Sequence, residues 1–77
     1  MSSLTIIKST IATDLWFKNH KMYLKLEDGR EIAVPIEWFP KLRDASDKQR
    51  KNWRFIGGGE GIHWNDIDED ILVEGLI

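Results

Sequence analysis

Met22-Tyr23-Leu24-Lys25-Leu26-Glu27-Asp28-Gly29-Arg30-Glu31-Ile32-Ala33-Val34 is the stretch on which the fold turns. Met22, Leu24 and Leu26 alternate with Tyr23, Lys25 and Glu27, the period-two pattern of a half-buried strand. The alternation resumes with Ile32 and Val34 beyond Glu27-Asp28-Gly29. A one-residue slip swaps the two faces of a strand, so register decides the loop length. A two-residue Asp28-Gly29 turn would set Leu26 opposite Glu31 and Leu24 opposite Ala33, mixing the faces. A three-residue loop pairs Leu26 with Arg30, Leu24 with Ile32 and Met22 with Val34, and gives Gly29 the left-handed position such loops need. Lys25 then faces Glu31 on the other side, a favourable cross-strand pair.

The same reasoning extends upstream. A two-residue Asn19-His20 turn pairs Phe17 with Met22, Leu15 with Leu24 and Thr13 with Leu26, all on the apolar face. The opposite face receives Trp16 beside Tyr23 and Asp14 beside Lys25. Leu4–Lys8 is either a further short strand or an N-terminal extension of the first. Downstream, Pro35 ends the third strand. Trp38, Phe39 and Leu42 fall at helical spacing, with Pro40 acceptable in the first turn of a short helix. Ser46 followed by Gln49 is a capping-box signature and predicts a second helix from Asp47 to Asn52 or Trp53. Arg54-Phe55-Ile56 reads as a strand stopped by Gly57-Gly58-Gly59, and Ile71-Leu72-Val73 as a brief strand or a docked extended tail. The expected architecture is α+β: one domain over residues 1–77, a three- to four-stranded antiparallel meander packed on one face by two short helices. Trp38 and Trp53 are expected in the core beneath those helices, since large aromatics supply most of a small core's buried area.

Composition narrows the function. The 77 residues include no cysteine, 31% are charged and 42% apolar, and the formal net charge is −2. A disulfide framework, a cysteine zinc site and a thiol nucleophile are excluded. No apolar run reaches the ~18 residues of a membrane span, and Lys8 and Asp14 interrupt the N-terminal stretch, so a cytoplasmic protein without membrane contact is expected. Charge is unevenly spread. Residues 38–54 carry Lys41, Arg43, Lys48, Arg50, Lys51 and Arg54 against Asp44 and Asp47. Residues 55–77 carry Glu60, Asp66, Asp68, Glu69, Asp70 and Glu74 and no basic residue. This asymmetry suits a basic patch for a polyanion, an acidic face for a basic partner, or two segments that lie together and neutralise each other.

The chemistry-bearing motifs are incomplete. Gly57-Gly58-Gly59-Glu60-Gly61 lacks the Gly-Lys-Ser/Thr of a P-loop, and Ile62 and Trp64 stand where a dinucleotide fingerprint needs glycine. The run reads as a turn with positive φ angles. Asp66, Asp68 and Asp70 alternate like a calcium loop, but Ile71 and Ile77 occupy the positions that require glycine and glutamate. A solvated acidic turn is the simpler reading, and no metal or other cofactor is expected. His63 is the candidate general base, with Glu60 and Asp66 as orienters. No serine (Ser2, Ser3, Ser9, Ser46) or threonine sits in an activating context, and His20 belongs to a hairpin turn. Trp16 and Tyr23 form an exposed aromatic patch or, if Ile71–Ile77 folds over them, a second small core.

Several segments together carry a family resemblance: Asp28-Gly29-Arg30 with Val34-Pro35; Trp38-Phe39-Pro40-Lys41-Leu42; Gln49-Arg50-Lys51-Asn52-Trp53-Arg54; Gly57-Gly58-Gly59-Glu60-Gly61-Ile62-His63-Trp64; and Asp68-Glu69-Asp70-Ile71 with Val73-Glu74-Gly75-Leu76. Over residues 4–77 the chain resembles the bacterial domain-of-unknown-function family 2442. The resemblance implies a small α+β domain without an established activity or agreed catalytic residues. Some longer relatives add a C-terminal helix-turn-helix. Many compact ones are encoded beside another small protein, as in toxin–antitoxin pairs. The chain ends at Ile77 without that addition, so direct sequence-specific DNA reading is not expected. The leading expectation is a non-enzymatic, antitoxin-like interaction module that meets a small protein partner through Glu60, His63, Trp64, Asp66, Asp68, Glu69 and Asp70. The alternatives are a nucleic-acid-associated accessory domain using the six basic residues of 38–54, and a small-ligand or metal site around Glu60, His63, Trp64 and Asp66. Self-association is a further option.

Overall fold

The computed structural model describes residues 9–77, so the expectation for Leu4–Lys8 lies outside the described residues. Strands β1 (Ala12–Lys18), β2 (Lys21–Leu26) and β3 (Glu31–Pro35) form an antiparallel sheet in the order β1-β2-β3. Its register follows from the alternation. Phe17 pairs with Met22, Leu15 with Leu24 and Asp14 with Lys25, then Leu24 with Ile32, Met22 with Val34 and Lys25 with Glu31. Asn19 and His20 both hold positive φ (52° and 63°), the left-handed pair of a two-residue hairpin turn. Gly29 has φ 95°, and Leu26 N–H donates to the Arg30 carbonyl at 2.8 Å, closing the three-residue loop.

Thr13 departs from its expected place. The register shifts between Ala12 and Asp14, so Ala12, not Thr13, stands opposite Leu26. Ala12 is buried and Thr13 bulges into solvent, a β-bulge that keeps the hydroxyl out of the core.

Beyond β3 the alternation runs on, so Ile36 takes the inward position in a 3₁₀ turn, Ile36–Trp38, and Trp38 is left 64% exposed. Trp38 is therefore not the core residue its spacing suggested. Helix α1 (Pro40–Arg43) starts with Pro40 in its first turn and buries Leu42. Helix α2 (Asp47–Lys51) begins with the expected capping box: Gln49 N–H donates to Ser46 Oγ at 3.1 Å, and Ser46 N–H to Gln49 Oε1 at 2.9 Å.

The α+β class holds, with a second meander in place of a single strand and tail. Strands β4 (Trp53–Ile56), β5 (Gly61–Trp64) and β6 (Glu69–Leu72) form a sheet in the order β4-β5-β6. A 3₁₀ turn at Gly57–Gly59 joins β4 to β5, and another, Val73–Leu76, follows β6. Ala12, Leu15, Met22, Leu24, Leu26, Val34 and Ile36 share one core with Leu42, Ile62, Trp64, Ile71 and Val73. Ile71 and Val73 point into that core, so the C-terminal segment does not fold over Trp16 and Tyr23. Trp53 is half-buried at its margin, edge-on to Phe55 with ring centres 4.8 Å apart.

Candidate functional site

The second sheet sorts the predicted site residues by strand parity. The pairings Arg54–His63 and His63–Asp70 place these three side chains in one row across the face turned away from the core. Ile56, Gly61 and Leu72 make the adjacent row. His63 Nδ1 lies 2.5 Å from Asp70 Oδ1; the His63 side chain is 20% exposed and that of Asp70 65%. A cation, an imidazole and a carboxylate thus stand side by side on an outer surface.

Trp64 is the clearest correction. It is fully buried, and its Nε1–H donates to the Arg50 carbonyl at 2.9 Å, so it offers no surface to a partner or ligand. A buried indole needs such an acceptor. Glu60 sits at the opposite end of β5 from the 65–68 turn, where its carbonyl accepts from Val73 N–H at 2.9 Å. In that turn Asp68 adopts φ 50°, and the Asp66 carboxylate accepts from Asn52 Nδ2 at 3.1 Å. The alternating carboxylates therefore diverge. Among the described residues no group of three or more His, Cys, Asp or Glu side chains converges on a point that could hold a metal ion.

The His63–Asp70 pair has the form of a base with an orienter, yet its neighbours on that face are Arg54, Ile56, Gly61 and Leu72. Ser9 Oγ accepts from Ile11 N–H at 3.0 Å and Ser46 Oγ is held in the capping box, both remote in sequence from the row. Among the described residues no serine or threonine belongs to the row of the sheet face beside the histidine.

Of the six basic residues, three are tied to the protein's own groups. Arg50 Nε donates to the Leu42 carbonyl and Nη2 to the Arg43 carbonyl, both at 2.8 Å, so this guanidinium caps the C-terminal end of α1. Arg43 pairs with Asp44 at 2.9 Å; the hydrogen bond holds the Asp44 carboxyl below its ordinary range and raises the Arg43 guanidinium. Lys41 Nζ donates to the Asp68 carbonyl at 3.0 Å. Lys48, Lys51 and Arg54 make no side-chain hydrogen bond or ion pair among the described residues. The basic and acidic segments touch at Lys41, which meets a backbone carbonyl, and through the Arg54–His63 strand pairing, but among the described residues no ion pair joins them; Arg43 and Arg50 pair with Asp44 and Asp47 of their own segment.

Residues outside the expected set complete the site. A groove of about 380 Å³ opens along the edge of β6, lined by Phe39, Glu69, Asp70, Ile71, Leu72 and Leu76, with Asp70 and Leu72 on the outer side of the strand and Glu69 and Ile71 on the core side. Leu72 is 67% exposed. The signal for it in the sequence was the alternation of Asp70 and Leu72; the contribution of Phe39 depends on a contact across the fold that no local pattern announces. On the other sheet, Trp16 and Tyr23 stack with ring centres 5.7 Å apart and planes 5° from parallel. Both are half-buried.

The model of a family described as protein of unknown function, DUF2442, matches residues 12–77. Among solved structures, a protein of unknown function from Rhodospirillum rubrum ATCC 11170 superposes with a TM-score of 0.75 at 29% identity, over 86% of this chain and 82% of that one. No curated protein matches. No helix among the described residues is long and apolar enough to cross a membrane.

Proposed function

The chain belongs to the DUF2442 family, and from that premise we propose that it is a non-enzymatic, antitoxin-like interaction module whose partner is a small basic protein. The reading is carried by the β6 groove, where Phe39, Ile71, Leu72 and Leu76 lie beside Glu69 and Asp70 in a segment with no basic residue. An apolar centre supplies affinity, and a charged rim supplies orientation and on-rate. A basic partner matches that rim, and the complex weakens as salt screens it.

Co-expression with the product of the neighbouring gene tests the reading. A complex is expected at low ionic strength, and the double change Glu69→Lys with Asp70→Lys abolishes it. A complex indifferent to that reversal removes the proposed face. A nucleic-acid reading is favoured only by Lys48, Lys51 and Arg54, whose charges are not engaged within the described residues. Phosphate contacts by these three would make binding fall steeply with salt, and a gel-shift series without binding at low salt eliminates it.

A further inference from the structure

The groove runs along an open strand edge. Among the described residues β6 is hydrogen-bonded on one side only, to β5. Val73 N–H donates to the Glu60 carbonyl at 2.9 Å, and bonded and non-bonded pairs alternate along an antiparallel ladder. Counting back from Val73 in steps of two, Ile71 and Glu69 turn their backbone groups toward β5, while Asp70 and Leu72 turn theirs outward. Two of those four outward groups are engaged. Asp70 N–H donates to Glu69 Oε1 at 3.1 Å. The Leu72 carbonyl, at the N-cap of the Val73–Leu76 turn, accepts that turn's first bond. The remaining two are the Asp70 carbonyl and the Leu72 N–H, which flank Ile71. In a parallel pair a single residue bonds to the groups before and after its neighbour, so these two groups fit one residue of a parallel strand lying beside Ile71.

We propose that β6 takes an extended segment of a partner protein as a parallel fourth strand, with side chains reading basic, apolar, apolar from N- to C-terminus. This rests on the protein-interaction reading above and specifies the partner. Strand parity assigns the side chains. The middle residue lies on the side of Ile71, toward Phe39 and Leu76. The residue before it lies beside the Asp70 carboxylate, and the residue after it beside the exposed Leu72. A second copy of the chain is the wrong occupant, because two β6 edges would bring Glu69 and Asp70 of both copies into one seam.

The probe is a seven-residue peptide, acetyl-Gly-Ser-Lys-Val-Leu-Ser-Gly-amide, titrated into the isotopically labelled full chain and followed by amide shifts. The Leu72 amide is expected to move most. N-methylation of the peptide valine removes its bond to the Asp70 carbonyl without touching the protein. Leu72→Pro removes the other donor at φ −85°, near the angle proline prefers. Each should weaken binding about tenfold, the equivalent of one backbone hydrogen bond. Equal binding by the N-methylated peptide overturns strand addition and leaves the acidic-face reading standing. Equal binding by the reversed Leu-Val-Lys peptide overturns the parallel orientation. If no amide from Glu69 to Leu76 moves, strand addition falls; if the neighbouring gene product also binds the Glu69→Lys, Asp70→Lys variant unchanged or binds neither form, the interaction reading falls with it.

Discussion

At the residue scale, a β-carbon at Gly59 would stand 2.5 Å from the Ala12 carbonyl oxygen and 2.9 Å from Ile11 Cγ2, at a backbone φ of +108°. The turn before β5 is pressed against the start of β1, and backbone cannot retreat as a flexible side chain can. Gly59→Ala is expected to cost about 2–4 kcal/mol. Gly29→Ala supplies the control, since its φ is +95° but nothing lies within 4 Å of the added carbon; the left-handed strain alone costs about 1–2 kcal/mol. Urea denaturation of the two variants separates the effects, and equal losses would show that the close approach is unimportant. Asp28 has a different role. Its carboxylate accepts from the Arg30 side chain, from Ser9 N–H and from Arg30 N–H, and these bonds hold it well below its ordinary value of 3.8. A depressed carboxyl contributes stability that is fully present above the unfolded value and is lost as pH falls through the folded one. The stability gap between the native chain and Asp28→Asn should therefore narrow steadily as pH drops below about 4. A gap that is constant down to about pH 2 would refute the linkage.

At the element scale, α1 is a single turn and cannot be stable on propensity alone. Arg50 holds it by donating to two carbonyls at its C-terminal end, where the cation also meets the negative end of the helix. Arg50→Met should cost about 1.5–3 kcal/mol and Arg50→Lys about half that, because an ammonium cannot span both acceptors. Thermal denaturation that ranks lysine with arginine would refute the bidentate account. Arg50 was legible in the sequence only as a positive charge. The elements themselves were far more legible wherever a local rule sufficed. Phe17–Met22 and Leu24–Ile32 followed from alternation and turn length, and Ser46–Gln49 from a three-residue spacing. β5 was hidden because Gly57-Gly58-Gly59-Glu60-Gly61 reads as turn, although Ile62 and Trp64 keep strand parity. The His63–Asp70 pair was hidden for the same reason: seven residues of separation become a cross-strand contact only once the 65–68 turn is known. Trp38 misled because its spacing to Leu42 is helical, while the chain there continues the parity of β3 and spends the inward position on Ile36.

At the scale of the whole molecule, neither sheet has a core of its own. The apolar face of β1–β3 and the inner face of β4–β6 contribute to a single cluster in which Leu24, Ile62 and Trp64 are all fully buried. Either sheet alone would leave its apolar face in water, so each meander depends on the other to cover it. A chain of this length has stability on the order of 4–12 kcal/mol, and deleting a buried leucine side chain costs about 2–5 kcal/mol. Leu24→Ala should accordingly lower the exchange protection of amides in β5 by the same free energy as those in β2, although the cavity lies on one sheet only. Sheets that folded as separate units would register the loss in β2 while β5 kept its protection. The shared core also bears on the partner surface, because Ile71, which lines the groove, is a member of that cluster. Leu24→Ala should then weaken partner binding only in proportion to the fraction of chain it unfolds, whereas changes at Asp70 and Leu72 should weaken binding with the melting temperature nearly unchanged.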